Sequence, residues 1–309
     1  MGLISAPEKI KSVALKRWSD EVVAIVLYGS FVRGKEYHDI DILIVLEKIG
    51  KTKIERIKDI AEIKRALGFP ADILLVSKEE CTDNFKSHNP LFLDIAYEGR
   101  VIYDKGLLER LVSEIKLEIR KNKIKKEFSG WIFPVKDRVP TPLSEITNKD
   151  WASYWLEDSK RDLKAAKYLL REKIYERAVY HSQQSAEKAV KAVLICFGIY
   201  QKTHYVGSIL RKEVEKKNLK KYTEKLKETA EIAEELEPHA SLSRYPGISG
   251  GRVWLPSKQY TKEVAEKAFK NAKKVPAGGR HENLPGRLNS WTTISLRSRN
   301  ASFIWLLNS

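Results

Sequence analysis

At 309 residues the chain exceeds one ordinary domain, so its length favours two folding units, each large enough to bury a core. Hydrophobic residues at 42% and aromatics at 9% exclude a wholly disordered chain, and the longest apolar runs, such as 22–28, are too short to span a bilayer. With 57 Lys+Arg against 41 Asp+Glu the formal charge is +16, which favours phosphate-bearing partners: nucleotides, nucleic acid or anionic surfaces.

Only Cys81 and Cys196 are present, far apart and without a CxxC, so neither a disulfide framework nor a zinc ribbon is available. The opening Met1-Gly2-Leu3-Ile4-Ser5 lacks a secretory apolar region. Both features lead us to expect a cytoplasmic location and no membrane partner.

Up to Asp104 amphipathic helical stretches alternate with short β-branched runs, an α/β texture. Ile10, Val13, Ala14 and Trp18 share a helix face that leads into a strand at 22–28, broken by Gly29. A second strand is expected at 40–46. Ile54, Ile57, Ile60, Ile63 and Leu67 mark a helix closing near Gly68, Pro70 precedes a third strand at 72–76, and a short strand follows at 100–103. The stretch 107–128 reads as one long basic helix, and the Pro-bearing segment after it has no regular period.

From Asp150 onward only helices are expected. Trp151, Trp155, Leu163, Ala166 and Leu170 form one stripe, and a second helix runs from near Tyr175 to Gly198. Further helices are expected at 203–217, 219–236 and 261–274, with a Gly/Pro-rich loop at 243–256. The last segment has no lysine and no period, and reads as a disordered or non-native tail. The expected division is therefore 1–128, a linker at 129–149, a helical bundle at 150–275 and a tail at 276–309.

The most informative stretch is Tyr28-Gly29-Ser30-Phe31-Val32-Arg33-Gly34, followed by Asp39-Ile40-Asp41 and an apolar strand. Gly29 at a strand end lets backbone approach a phosphate, Ser30 offers a hydroxyl and an N–H, and Arg33 offers a guanidinium. Residues two apart on a strand face the same way, so Asp39 and Asp41 stand side by side and repel each other. A divalent cation with hard oxygen ligands, typically magnesium carrying nucleotide phosphates, relieves that repulsion; Asp72 opens the third strand and offers a third carboxylate. Singly, each piece is also compatible with an ordinary turn and solvated carboxylates; the ordered combination points to chemistry.

This stretch resembles the minimal nucleotidyltransferases of the DNA polymerase β superfamily, whose pattern is Gly-Ser, then Arg-Gly, then Asp-x-Asp. The resemblance covers about 22–103. It implies phosphate binding by Gly29 and Ser30, magnesium ligation by Asp39 and Asp41, and a third carboxylate at Asp72 that also helps deprotonate an acceptor.

In the helical half, Ala178, Ser182, Ser185 and Ala189 form a close-packing stripe, with Gln184, Lys188 and Lys191 on a neighbouring face open to an anion or simply solvated. Together with Gly198, Thr203-His204 and Arg244-Tyr245-Pro246, this helix resembles a HEPN domain over about 151–274. Some HEPN domains are metal-independent ribonucleases with an Arg and a His separated by four to six residues, polar ones following the Arg. Here Arg177 and His181 have three residues between them, beginning with apolar Ala178 and Val179. The candidate residues of this half are Arg177, His181, Gln184 and Lys188. The basic run Lys116, Arg120, Lys121, Lys123, Lys125 and Lys126 reads as a nucleic-acid track or a solvated surface.

The expectation is an N-terminal α/β (or α+β) nucleotidyltransferase domain and a C-terminal all-α HEPN bundle. Magnesium is the expected cofactor and ATP or another nucleoside triphosphate the substrate. The acceptor is a hydroxyl on protein, RNA or a small molecule, and a homo-oligomer is compatible with the sequence. Separately encoded relatives of the two modules form toxin–antitoxin pairs in which the transferase adenylylates the HEPN protein, so a related role is implied. The alternatives are an aminoglycoside-type small-molecule nucleotidyltransferase and a HEPN ribonuclease or nucleotide-binding module.

Overall fold

The structure is a computed structural model that describes residues 5–34, 36–127, 130–136, 141–143, 146–217, 219, 222–249 and 251–275. The tail expected at 276–309 lies outside the described residues. The chain divides into two units, one comprising Met1–Ile124 and Leu143–Glu145, the other beginning at Lys125.

In the first unit α1 (Ala6–Trp18) leads to β1 (Val22–Tyr28), the single turn α2 (Gly29–Val32), β2 (Ile40–Leu46), α3 (Ile57–Leu67) and β3 (Ala71–Ser77). Then come α4 (Lys78–Lys86), α5 (Pro90–Glu98), β4 (Arg100–Asp104) and α6 (Leu107–Lys121). The strands form one sheet in the order β3-β2-β1-β4, with β2 and β3 parallel and the other pairs antiparallel. β1 is apolar and buried at every position because it is an inner strand with covered faces. Ile25, Leu27, Ile42 and Ile44 meet Ile10 and Ala14 of α1 and Ile63 and Leu67 of α3 in the core. Gly68, at φ +68°, ends α3 in the left-handed conformation that glycine adopts at least cost.

Helices α4 and α5 were not among the elements read from the sequence. Each has a cap that explains it: Ser77 and Glu80 form a reciprocal capping box, and the Asn89 side chain accepts from Leu91 N with Pro90 at the first helical position. The buried His88 ring binds the Leu143 carbonyl through Nδ1 and donates from Nε2 to Glu118 at 2.7 Å, tying 143 to this unit.

The second unit contains β5 (Lys125–Glu127), β6 (Gly130–Ile132), α7 (Asn148–Arg171), α8 (Tyr175–Cys196), β7 (Ile199–Gln201), α9 (Gly207–Lys216) and α10 (Thr223–Leu236). It continues with α11 (His239–Leu242), β8 (Gly247–Ser249), β9 (Arg252–Trp254), α12 (Pro256–Gln259) and α13 (Lys262–Lys274). α7 and α8 pack along their length, and Val190, Val193 and Leu194 of α8 join Leu210, Val214, Leu226 and Ala230 in a second core.

The helix expected at 107–128 stops at Lys121. Lys123 takes a positive φ of 54°, and the chain enters a three-stranded sheet, β5-β6-β7. Trp131 is 1% exposed there, opposite Tyr200. The basic run is thus split between α6, a turn and β5. The expected loop at 243–256 contains the β8–β9 hairpin. Among the described residues no helix is long and apolar enough to cross a membrane.

Candidate functional site

At the end of β1 the chain turns at Gly29, whose φ is +76°. A Cβ placed there would lie 1.9 Å from Asp41 Oδ2 and 2.8 Å from its Cγ, so the backbone presses on the carboxylate and only glycine fits. Strand register builds the rest. Tyr28 pairs with Asp41 across the β1–β2 ladder, and Asp41 pairs with Asp72 across β2–β3. Asp39 precedes β2 by one residue, and Ile40 between the two aspartates is 4% exposed and turned into the core.

Burial raises the Tyr28 phenol far above its usual range, and Asp41, Asp72 and Asp39, in that order, add to the shift. Arg33 caps α2 and places its Nη1 2.5 Å from Glu98 Oε1, a carboxylate only 16% exposed. Lys64 Nζ lies 3.7 Å from Asp72 Oδ1, whose side chain is 51% exposed. Among the described residues no group of three or more His, Cys, Asp or Glu closes around a metal position. Gly29, Asp39, Asp41 and Asp72 thus lie at neighbouring strand ends: Gly29 after β1, Asp39 and Asp41 at the start of β2, and Asp72 at the start of β3.

On α8 the stripe Ala178, Ser182, Ser185 and Ala189 is buried against neighbouring helices. The cationic face is already neutralised from within. Lys188 Nζ stands 2.6 Å from both Asp158 Oδ2 and Asp162 Oδ2 of α7; burial opposes its charge, but these two carboxylates hold its pKa above the usual value. His181 Nδ1 donates to Asp162 Oδ1 at 2.8 Å. Arg177 is exposed, and among the described residues no ion pair engages it. Gln184 donates to Gln183 at 2.7 Å.

Beneath this face lies a buried network centred on Glu187, a residue the sequence does not single out; it draws in Lys191, expected on an open or solvated face, and His204. Glu187, with its side chain 1% exposed, sits 2.9 Å from Lys191 Nζ, accepts from Gln183 at 2.9 Å and accepts from His204 Nδ1 at 3.0 Å. Burial pushes its carboxyl up, yet His204, Lys191 and Gln183 together hold it below the ordinary value. Arg244 lies over the rings of Tyr180 and Tyr245, at 5.2 and 4.9 Å. The signal for Asp158 and Asp162 was their i, i+4 spacing on one helix face; which charges they meet depends on a second helix, and no local pattern carries that.

Residues 7–103 match the family described as nucleotidyltransferase domain, and residues 152–277 match the HEPN domain family. Over 129 residues the chain is 41% identical to the candidate toxin MJ1304 of Methanocaldococcus jannaschii, covering 41% of this chain and 85% of that protein. Over 112 residues it is 31% identical to the candidate protein adenylyltransferase MJ1305 of the same organism, covering 33% of this chain and 75% of that protein. A crystallised toxin–antitoxin with AMP-PNP is 18% identical over 38% of this chain and 92% of its own, with a TM-score of 0.28. A nucleotidyltransferase-like protein from Exiguobacterium sibiricum 255-15 is 11% identical over 89% of this chain and 77% of its own, with a TM-score of 0.35. The chain thus belongs to two families at once, nucleotidyltransferase through residues 7–103 and HEPN through residues 152–277.

Proposed function

We propose that the first unit transfers a nucleoside monophosphate, AMP from ATP, to a hydroxyl acceptor, and that the helical unit binds nucleotide or presents the acceptor. The observation that carries this reading is the strand-end junction at which Gly29 leaves no room for a side chain beside Asp41, with Asp72 in register. Backbone bare of a side chain admits a phosphate closely. The neighbouring carboxylates are hard oxygen donors, and magnesium is commonly held by one or two such groups together with substrate phosphates and water. The donor set fits: Asp39 and Asp41 would hold the ion, with Asp72 as the third carboxylate. When bound, magnesium neutralises phosphate charge and favours substitution at the α-phosphorus.

The chain's own residues do the remaining work. Gly29 and Ser30 cradle the phosphates, and Arg33, aligned by Glu98, contacts a phosphate oxygen. Asp72 accepts the acceptor's hydroxyl proton while that oxygen bonds to the α-phosphorus; the bond from the α-phosphorus to the bridging oxygen breaks and pyrophosphate leaves. The name of MJ1305, a protein adenylyltransferase, supports AMP as the group transferred and protein as the acceptor, and that of MJ1304 supports a link to a toxin. Incubating the full chain with magnesium and nucleoside triphosphates labelled at the α-phosphate tests the proposal. Pyrophosphate release with label on an acceptor, found by mass search, is expected. No release with any of the four ribonucleotides, across protein, RNA and small-hydroxyl acceptors, overturns it.

A further inference from the structure

Two aromatic rings lie between the parts of the first unit assigned above to nucleotide. Phe31 follows Gly29 by two residues, and Tyr37 precedes Asp39 by two. A turn makes them meet: Gly34 takes φ +65° and its N–H donates to the Phe31 carbonyl at 3.3 Å. The rings then contact edge to face, with centroids 4.9 Å apart and planes at 90°. Phe31 leans on the core of the unit, whereas Tyr37 remains 51% exposed.

Exposure alone assigns Tyr37 no role, since Tyr97, Tyr154 and Tyr168 are at least as exposed. Its position is what bears on the site. Two residues of chain span at most about 7 Å, which keeps Tyr37 close to the carboxylate edge beginning at Asp39. A nucleotide whose phosphates lie at Gly29 and Asp41 extends its base away from that edge by the length of one sugar.

We infer that Tyr37, braced by Phe31, is the platform on which the base of the donor nucleotide stacks. The inference rests on the assignment of the sheet edge as a nucleotide site. Stacking on an aromatic face is tolerant of base identity because every base has a π-face, so this platform supplies affinity and orientation with modest base preference.

Calorimetric titration of the full chain with magnesium ATP and, separately, with magnesium tripolyphosphate tests it, since tripolyphosphate has the phosphates and no base. In wild type ATP should bind more tightly than tripolyphosphate. Tyr37→Ala and Tyr37→Leu should each weaken ATP by about 5- to 150-fold, the range found when a stacked aromatic is removed, and leave tripolyphosphate unchanged. Tyr37→Phe should retain wild-type affinity for both. Unchanged ATP affinity in Tyr37→Ala, or equal losses of ATP and tripolyphosphate, overturns the platform while leaving the phosphate cradle standing. If wild type binds neither ligand, the cradle and the platform fall together.

Discussion

Gly29 and Gly34 both carry positive φ, +76° and +65°, yet a Cβ at Gly29 would strike Asp41 whereas nothing lies within 4 Å of one at Gly34. Alanine at either position pays the left-handed backbone cost of about 1–2 kcal/mol. At Gly29 it must also displace the carboxylate. Gly34→Ala should therefore keep nucleotide affinity at a small loss of stability, and Gly29→Ala or Gly29→Val should lose affinity by at least about 10-fold, the equivalent of one lost contact of ~1.4 kcal/mol. Calorimetry and thermal unfolding of the three variants decide it; indistinguishable effects at the two glycines would remove Gly29 from the site. The aspartates make the complementary case. Asn keeps the size of Asp39 or Asp41 and removes one of two like charges, so each variant should fold with an unchanged or raised melting temperature. Transfer should fall at least about 100-fold, the scale of losing one electrostatic stabiliser of a transition state. Near-wild-type transfer by both would sink the metal assignment.

Among the elements, α8 buries a charge pair that shapes the second unit. Removing one member of such a pair leaves the other uncompensated, which costs about 3–5 kcal/mol, while replacing both by apolar or neutral groups costs much less. Glu187→Gln should destabilise on that scale through stranded Lys191, and adding Lys191→Met should restore most of the loss. The pH dependence has a definite sign. The folded carboxyl of Glu187 lies below its ordinary 4.5, so the stability it contributes is complete above that value and drains as pH falls through the lowered one. Denaturant melts of wild type and Glu187→Gln should accordingly converge in acid. A gap under about 0.5 kcal/mol at pH 7 would show that the pair contributes nothing. The same element shows where sequence reading ends. Its buried stripe was legible because period and residue size are local, but the partners of Lys188 and His181 come from α7, nearly a helix-length away in sequence. Likewise β5 and β6 form where helix and linker are expected: Trp131 pairs with Lys126 nearby but also with Tyr200, beyond two helices in the chain, and that second pairing is written in no local pattern.

For the molecule as a whole, what could be read was order: strand, Gly-Ser, Asp-x-Asp, strand, then helices with the HEPN signature, each written in contiguous residues. What could not be read was convergence, such as Asp41 and Asp72 falling into register or Glu98 reaching Arg33 from α5, because both depend on how distant segments pair. That distinction separates a metal needed for reaction from one needed for folding. Asp39, Asp41 and Asp72 lie outside the apolar clusters on which the two units pack. Stripping divalent ions with a chelator should thus leave the thermal unfolding profile unchanged and abolish nucleotide transfer; a lost or lowered transition would reveal a structural metal instead. The same chelated sample tests the helical unit. His181 is held by Asp162 at 2.8 Å, Arg177 stands exposed one turn earlier, and buried Ala178 and Val179 follow the arginine where a ribonuclease of this family carries polar residues. RNA incubated with the chelated protein should remain intact. Cleavage that persists in chelator and vanishes in His181→Ala would make the helical unit a nuclease, and the first unit would then be read as its regulator.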